Sequence, residues 1–415
     1  MKTGTHKGTY GFNGESLREV ILARGFTSAF VADSLNVSRQ SMSNYITGRN
    51  SPNPDLVDRI CRFLNIPESF LLKESTHDKT EQKSPRFYRS FSAATKNSRE
   101  MAEIKLEWLI ELINFLEIFI ELPTVKFPKF DTPSDPTRIS NEFIEAVAIR
   151  VRQFWGLGTG PISNFVWLLE NNGAVVVRRQ LHAKTLDAFS CWQGGRPYII
   201  LGMDKNCAVC SRFDAAHELG HLILHNNLPE ICVRSSKYFK MGEEQANRFA
   251  GAILFPQEAF FKEIKRPNLE IFRLSKRRWM VSIAMMIKRA EHLEYISEDD
   301  IKTLWVRYSN LKWRTNEPLD DELEVEQPKL VKNIIDLAIN EGLLSTEEIS
   351  NYLHLFHSDI EDCVGLPNNY LDPKAFQVIE LNSWITRHKQ EVKNVPSSDQ
   401  QLGTLIPFQP KNNPI

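Results

Sequence analysis

With only six cysteines, 19 glycines and 21 prolines in 415 residues, the sequence excludes a disulfide-stapled scaffold, a collagen-like repeat and a low-complexity chain. It also lacks a long hydrophobic run. The most apolar stretch, Ile104 to Leu122, is interrupted by Glu107, Glu111, Asn114, Glu117 and Glu121, so it reads as a soluble amphipathic helix and not as a membrane span of about 20 apolar residues. Met1 to Gly14 contain no apolar core of a secretory signal, which makes the cytoplasm the expected compartment and reduced thiols the expected cysteine state. No charge of one sign dominates, since 51 Lys+Arg face 52 Asp+Glu. That balance hides a split: residues 1–100 hold 15 basic against 10 acidic side chains, a net of +5, and the remainder is acidic. The opening segment is therefore the expected anion-binding part.

What is present is about 42% hydrophobic sequence, enough for a large core and, at this length, for roughly three domains. The first unit, residues 12–73, contains short helical patterns separated by turn signals. Thr27 and Ser38 are placed to cap helices, Asn36 to end one in a left-handed conformation, Gly48 to stop the next, and Pro54 to open another. Residues 74–135 read as a linker containing a long amphipathic helix from about Ser98 to Leu122, closed by Pro123, Pro128, Pro133 and Pro136. Residues 136–297 then alternate helical patterns with three strand-like runs, Ala174–Arg178, Ala188–Trp192 and Tyr198–Leu201, the last two joined by a Gly194–Gly195 turn. Residues 298–393 are helical in pattern, and 394–415, rich in Pro, Ser, Gln and Asn, are expected to be disordered. The fold class expected is multidomain and mostly α with an α+β core: an all-α head, a central domain with a small sheet, and a helical C-terminal region.

Residues 215–225 read A-A-H-E-L-G-H-L-I-L-H. His217 and His221, four apart, project from one helix face, close enough to bind one zinc ion. Glu218 beside them is placed to take a proton from an attacking water. Ser211 and Asp214 form an S-x-x-D pair that predicts the start of this helix. The third ligand comes from a second helical pattern at Glu243–Leu254, where Ala246, Phe249, Ala250 and Ile253 mark the buried stripe. Glu243 lies on that inward face, where a carboxylate needs a cation, and Asn247 is placed to hold a ligand histidine from behind. Glu244 instead aligns with Arg248 as an exposed ion pair. An edge strand at Tyr198–Leu201 is expected to pair with an extended substrate.

On these residues, with Tyr88–Phe91, Trp155–Ile162, Leu186–Ser190, Arg196–Leu201 and Lys276–Ser282, the segment from about Arg86 to Leu293 resembles the ImmA/IrrE family of zinc metallopeptidases. The resemblance implies His217, His221 and Glu243 as zinc ligands and Glu218 as general base. It also implies a cytoplasmic enzyme, several relatives of which cleave a helix-turn-helix repressor. The run F-V-A-D-S-L-N-V-S-R-Q-S-M-S-N-Y-I-T-G-R-N-S-P at residues 30–52 resembles the XRE (Cro/repressor-like) helix-turn-helix family. Arg39, Gln40, Ser41, Ser43 and Asn44 would then read base edges of a double-stranded operator and Arg49 would hold a phosphate, with a homodimer covering two half-sites.

Other features invite plainer readings. Cys207 and Cys210 are expected to be ordinary reduced thiols, His225 a packing or hydrogen-bonding histidine, Trp108, Phe115 and Phe119 a core or dimer stripe, and Asp320–Glu326 a solvated acidic loop. The function expected is a cytoplasmic zinc endopeptidase of the HExxH type with a DNA-binding head, hydrolysing a protein substrate such as a repressor to control transcription. The alternatives are a DNA-binding regulator or sensor whose metal site does not turn over, and a toxin–antitoxin or phage-defence component.

Overall fold

The structure, a computed structural model, describes residues 8–73, 87–88, 96–181, 187–203, 207–229 and 236–372. The expected tail at 394–415 and the polar connector near Ser75–Ser84 lie outside the described residues. The head comprises α1 (Gly14–Ala23), α2 (Ser28–Ser34), α3 (Arg39–Ile46), α4 (Pro54–Leu64) and α5 (Glu68–Leu72). Local chemistry sets their bounds. The side chains of Asn13, Thr27, Ser38 and Asn53 each accept a backbone N–H of the first turn that follows, and Asn36 takes φ 52° between α2 and α3. Leu17, Val20, Val31, Ala32, Met42, Val57, Ile60 and Phe70 fill the interior.

Helix α6 (Lys96–Leu116) was expected within a linker, but it is a core element. It buries Ala102, Leu106, Trp108, Leu109, Leu112, Ile113 and Leu116 on more than one face, which only a helix surrounded by neighbours does. Trp108 packs edge-on against Phe70 of the head and donates its indole N–H to Glu19 of α1. Trp108 and Phe115 are thus core residues, and Phe115 also stacks on Tyr352.

The sheet contains β1 (Phe87–Tyr88), β2 (Val175–Arg179), β3 (Ala188–Gln193) and β4 (Arg196–Gly202) in the order β1-β3-β4-β2. β3 and β4 form the expected hairpin, with Gly194 at φ 56° and Gly195 at φ 78°. β2 runs parallel to β4, so β4 is flanked on both sides and Tyr198–Leu201 is not an edge strand: the expected substrate edge is corrected. Both faces of the sheet are covered, which is why β2 reads V-V-V-R-R with no polar alternation.

One face, with Val175, Val177, Phe189, Tyr198 and Ile200, shares a core with α6, the head and the C-terminal helices α15 (Leu330–Asn340), α16 (Thr346–Leu353) and α17 (His357–Val364). The other, with Val176, Ala188, Ile199 and Leu201, packs with α7 (Asn141–Phe154), α8 (Phe165–Asn171), α9 (Ala208–Leu224) and α10 (Ser236–Leu254). Helices α11 (Gln257–Glu263), α12 (Leu269–Trp279), α13 (Ile283–His292) and α14 (Glu298–Asn310) extend this second core.

The acidic segment near 320–326 is more than a solvated loop. Glu326 is buried, pairs with Arg212 of α9 at 2.6 Å and accepts the Phe165 and Val166 amides at the start of α8. Asp320 and its neighbour Glu317 meet the buried ammonium of Lys276 at 2.6 and 2.8 Å. Desolvated cations on α9 and α12 need these carboxylates. No helix among the described residues is long and apolar enough to cross a membrane.

Candidate metal centre and nucleic-acid interface

The motif helix α9 begins one turn earlier than the S-x-x-D pair predicts. Cys207 is its N-cap, and Ser211 lies inside the helix with its hydroxyl against the Arg178 guanidinium. The pair therefore marks no helix start, because a buried arginine claims the serine. Cys207 and Cys210 are joined as a disulfide, contrary to the reduced thiols expected; across the first helical turn their Cα atoms are 5.3 Å apart, within bridging range.

From Ala215 to Leu224 the helix is buried all round, between the sheet and α10. Gly220 makes that approach possible, since a Cβ there would stand 3.2 Å from the Ala246 Cα of α10. The close approach brings Glu243 to the two histidines. His221 Nε2 lies 3.0 Å from His217 Nε2 and 3.1 Å from Glu243 Oε1, and His217 Nε2 lies 3.5 Å from Glu243 Oε2. One ligand atom from each of the three residues falls within 4.8 Å of the others. A tetrahedral ion bound at about 2.0–2.1 Å holds its ligands about 3.3 Å apart, so the donor set fits a single zinc ion with little movement.

The surroundings serve the same arrangement. Asn247 Oδ1 sits 2.9 Å from His217 Nδ1, on the far side of the ring from Glu243. Burial alone would raise the Glu243 pKa, but its hydrogen bonds with His217 and His221 prevail and hold the carboxyl below the usual carboxylate range. His225 is hydrogen-bonded, as expected: its Nδ1 lies 2.9 Å from His221 Nδ1 and its Nε2 3.0 Å from Gln245 Oε1. Burial, then the neighbouring His221, push its pKa down to about 3.

Glu218 is fully buried beside the triad, and the Ser190 hydroxyl of β3 donates to its Oε2 at 2.6 Å. Ser190 and Gln245 escaped the sequence reading, because their partners stand 28 and 20 residues away and no spacing rule links them. Glu244 is exposed, as expected, but Arg248 turns from it to Glu145 of α7 at 3.1 Å. A groove of about 550 Å³ opens beside the last turn of α9, lined by Phe127, Phe130, Trp192, Gly194, Leu222 and Asn226 among others. None of the triad lines it, so it adjoins the centre without being the centre.

In the head, α3 follows α2 through the Asn36 turn, and Arg39, Gln40, Ser43 and Arg49 are exposed while Ser41 and Asn44 are half-buried. Three of these side chains, Arg39, Gln40 and Asn44, already have partners within the head. Arg39 pairs with Asp33 of α2 at 2.8 Å, and Gln40 donates to Asn44 at 3.1 Å. Exposed pairs of this kind exchange readily for nucleic-acid partners.

Residues 169–291 match the model of the IrrE N-terminal-like domain of the M78 peptidases, and residues 17–71 match a helix-turn-helix model. The first match runs from α8 through strands β2 to β4, α9 and α10 to α13, so it contains the three residues of the metal centre; the second spans most of α1 to α5. No curated protein matches the chain. The chain is accordingly a fusion of an XRE-type helix-turn-helix head with an IrrE N-terminal-like, M78 peptidase-like domain.

Proposed function

We propose that the chain is a zinc-dependent endopeptidase that hydrolyses a peptide bond in a protein substrate, a repressor in the simplest case, and acts on transcription in the cytoplasm through its DNA-binding head. The observation that carries this reading is the convergence of His217, His221 and Glu243 from two helices, with Glu218 on the adjoining helical position. His217, His221 and Glu243 would hold the ion, which when bound supplies Lewis acidity toward a carbonyl and toward water. Glu218 then takes the proton of the water whose oxygen attacks the scissile carbonyl carbon. As the C–N bond breaks, Glu218 returns that proton to the leaving amine. Ser190 holds the Glu218 carboxylate in place by donating to Oε2. In the head, Arg39, Gln40, Ser41, Ser43 and Asn44 face base edges and Arg49 a phosphate, in a homodimer spanning two half-sites.

Glu218→Gln tests the reading. Zinc content should match the wild type while cleavage falls by about 10²–10⁴-fold. The complete burial of Glu218 favours a second reading, in which the chain is a DNA-binding regulator whose metal site does not turn over. Under that reading the substitution leaves the regulatory phenotype unchanged.

A further inference from the structure

The Cys207–Cys210 disulfide has no part in the peptidase reading, and its place in the chain gives it little to do as a staple. It joins residues three apart across the first turn of α9, just after β4, with Cα atoms 5.3 Å apart. Helical geometry already sets that spacing, and a cross-link stabilises a fold mainly by closing a long loop in the unfolded chain. This one closes almost none. Past its first turn α9 is held by other contacts: the Ser211 hydroxyl meets the Arg178 guanidinium, and Arg212 pairs with buried Glu326 at 2.6 Å. Opening the bridge therefore frees one turn and leaves the rest of the helix, with His217 and His221, in place. Both bridge residues are half-buried, so solvent reaches them. The other described cysteines are different. Cys191 and Cys363 are buried, and burial pushes the Cys61 and Cys363 thiols up to about 11 and about 12, which keeps them protonated and unreactive.

We infer that Cys207 and Cys210 form a redox-active pair that exchanges reversibly with cellular thiols, separate from the peptidase reading and not resting on it. Their position supplies the chemistry. Cys207 is the N-cap of α9, and its Sγ accepts the backbone N–H of Cys210 at 3.3 Å. That N–H and the positive end of a 17-residue helix stabilise negative charge on the Cys207 sulfur, as a leaving group requires. An incoming thiolate attacks Cys210 Sγ, the S–S bond breaks, and its electron pair leaves on Cys207 Sγ. A second thiolate then attacks the incoming sulfur of the mixed disulfide and releases Cys210 as a thiolate. Two thiols have become one disulfide, and their two electrons and two protons end on Cys207 and Cys210. An oxidised thiol reverses the steps and closes the bridge again.

The test uses the full-length native chain, without denaturant, in two arms: excess reduced glutathione, and a thioredoxin with its reductase and NADPH. Samples are quenched in acid, alkylated with a maleimide and mapped at Cys207 and Cys210. The bridge should open in at least one arm and close again with oxidised glutathione, while helix content by circular dichroism stays constant through the cycle. Opening in both arms makes a small thiol sufficient; opening by thioredoxin alone makes a protein dithiol the partner. A bridge that stays shut in both arms until denaturant is added overturns the redox pair, and so does a chain in which oxidised glutathione never joins the two sulfurs. In the reduced chain, iodoacetamide at neutral pH should label Cys207 about tenfold faster than Cys210. Equal rates, or a faster Cys210, contradict the leaving-group role of Cys207. Replacing the pair by Cys207→Ser with Cys210→Ser keeps a capping side chain and should leave the melting temperature within about 2 °C of the wild type. A larger fall makes the bridge a staple and overturns the proposal.

Discussion

Burial fixes what individual side chains of the central domain can do with a proton. His292, at the end of α13, is pushed down to about 3 by burial, with the Arg248, Lys288 and Arg289 charges acting the same way. The unfolded chain binds a proton at this position near pH 6.5, whereas the folded chain resists it. The depressed folded pKa contributes stability that is present above about pH 6.5 and is lost as pH falls toward 3. His292→Gln should therefore flatten the fall in melting temperature between pH 7 and 5; an unchanged slope would show that His292 does not contribute. At this scale the sequence was informative wherever helical spacing alone places a side chain. His217, Glu218 and His221 share one helix, and the buried stripe around Ala246 and Phe249 put Glu243 on the inward face. Ser190, Gln245 and the disulfide escaped because they depend on contacts between elements, or on a helix start that Cys207 sets one turn early.

Helix-to-helix approach is the next determinant, and it turns on Gly220. Its missing side chain lets α10 lie against α9 at the level of Ala246, one turn from Glu243. Gly220→Val places a branched side chain where even a Cβ meets the Ala246 backbone at 3.2 Å. It should cost about 1–3 kcal/mol of stability, measured by denaturant titration, and reduce zinc affinity by moving Glu243 away from the histidines. Unchanged zinc affinity would mean that the approach of α10 does not set the site. Several elements were legible from periodicity and caps: the β3–β4 hairpin falls where the pattern places it, and Asn36 ends α2 in the left-handed conformation its position predicts. The parallel pairing of β2 with β4 was not, because strand order is a tertiary property and a strand buried on both faces carries no alternation to read. The acidic segment misled for a related reason: Glu317, Asp320 and Glu326 neutralise cations on helices far away in sequence.

On the scale of the molecule, the sheet divides two cores, and the head belongs to one of them. Arg24, which caps the C-terminus of α1, makes a bidentate contact with Asp359 of α17, Trp108 joins α6 to α1, and Lys105 of α6 meets Asp362. A head tethered by a linker is what composition suggests, since the charge split follows the first hundred residues. The apolar side chains of α6 instead bind the head to the sheet and the C-terminal helices. The head, α6 and the C-terminal helices should accordingly unfold in one calorimetric transition, and Trp108→Ala should lower it by about 3–5 kcal/mol of stability. A separate head transition, unaffected by Trp108→Ala, would contradict this packing. The proposed peptidase chemistry depends on one divalent ion held between α9 and α10, and metal analysis of the purified chain beside Glu243→Ala and Glu244→Ala tests that most directly. The prediction is about one zinc per chain in the wild type and in Glu244→Ala, with loss of zinc in Glu243→Ala. Zinc lost from Glu244→Ala but kept by Glu243→Ala, or no zinc in the wild type, would contradict it.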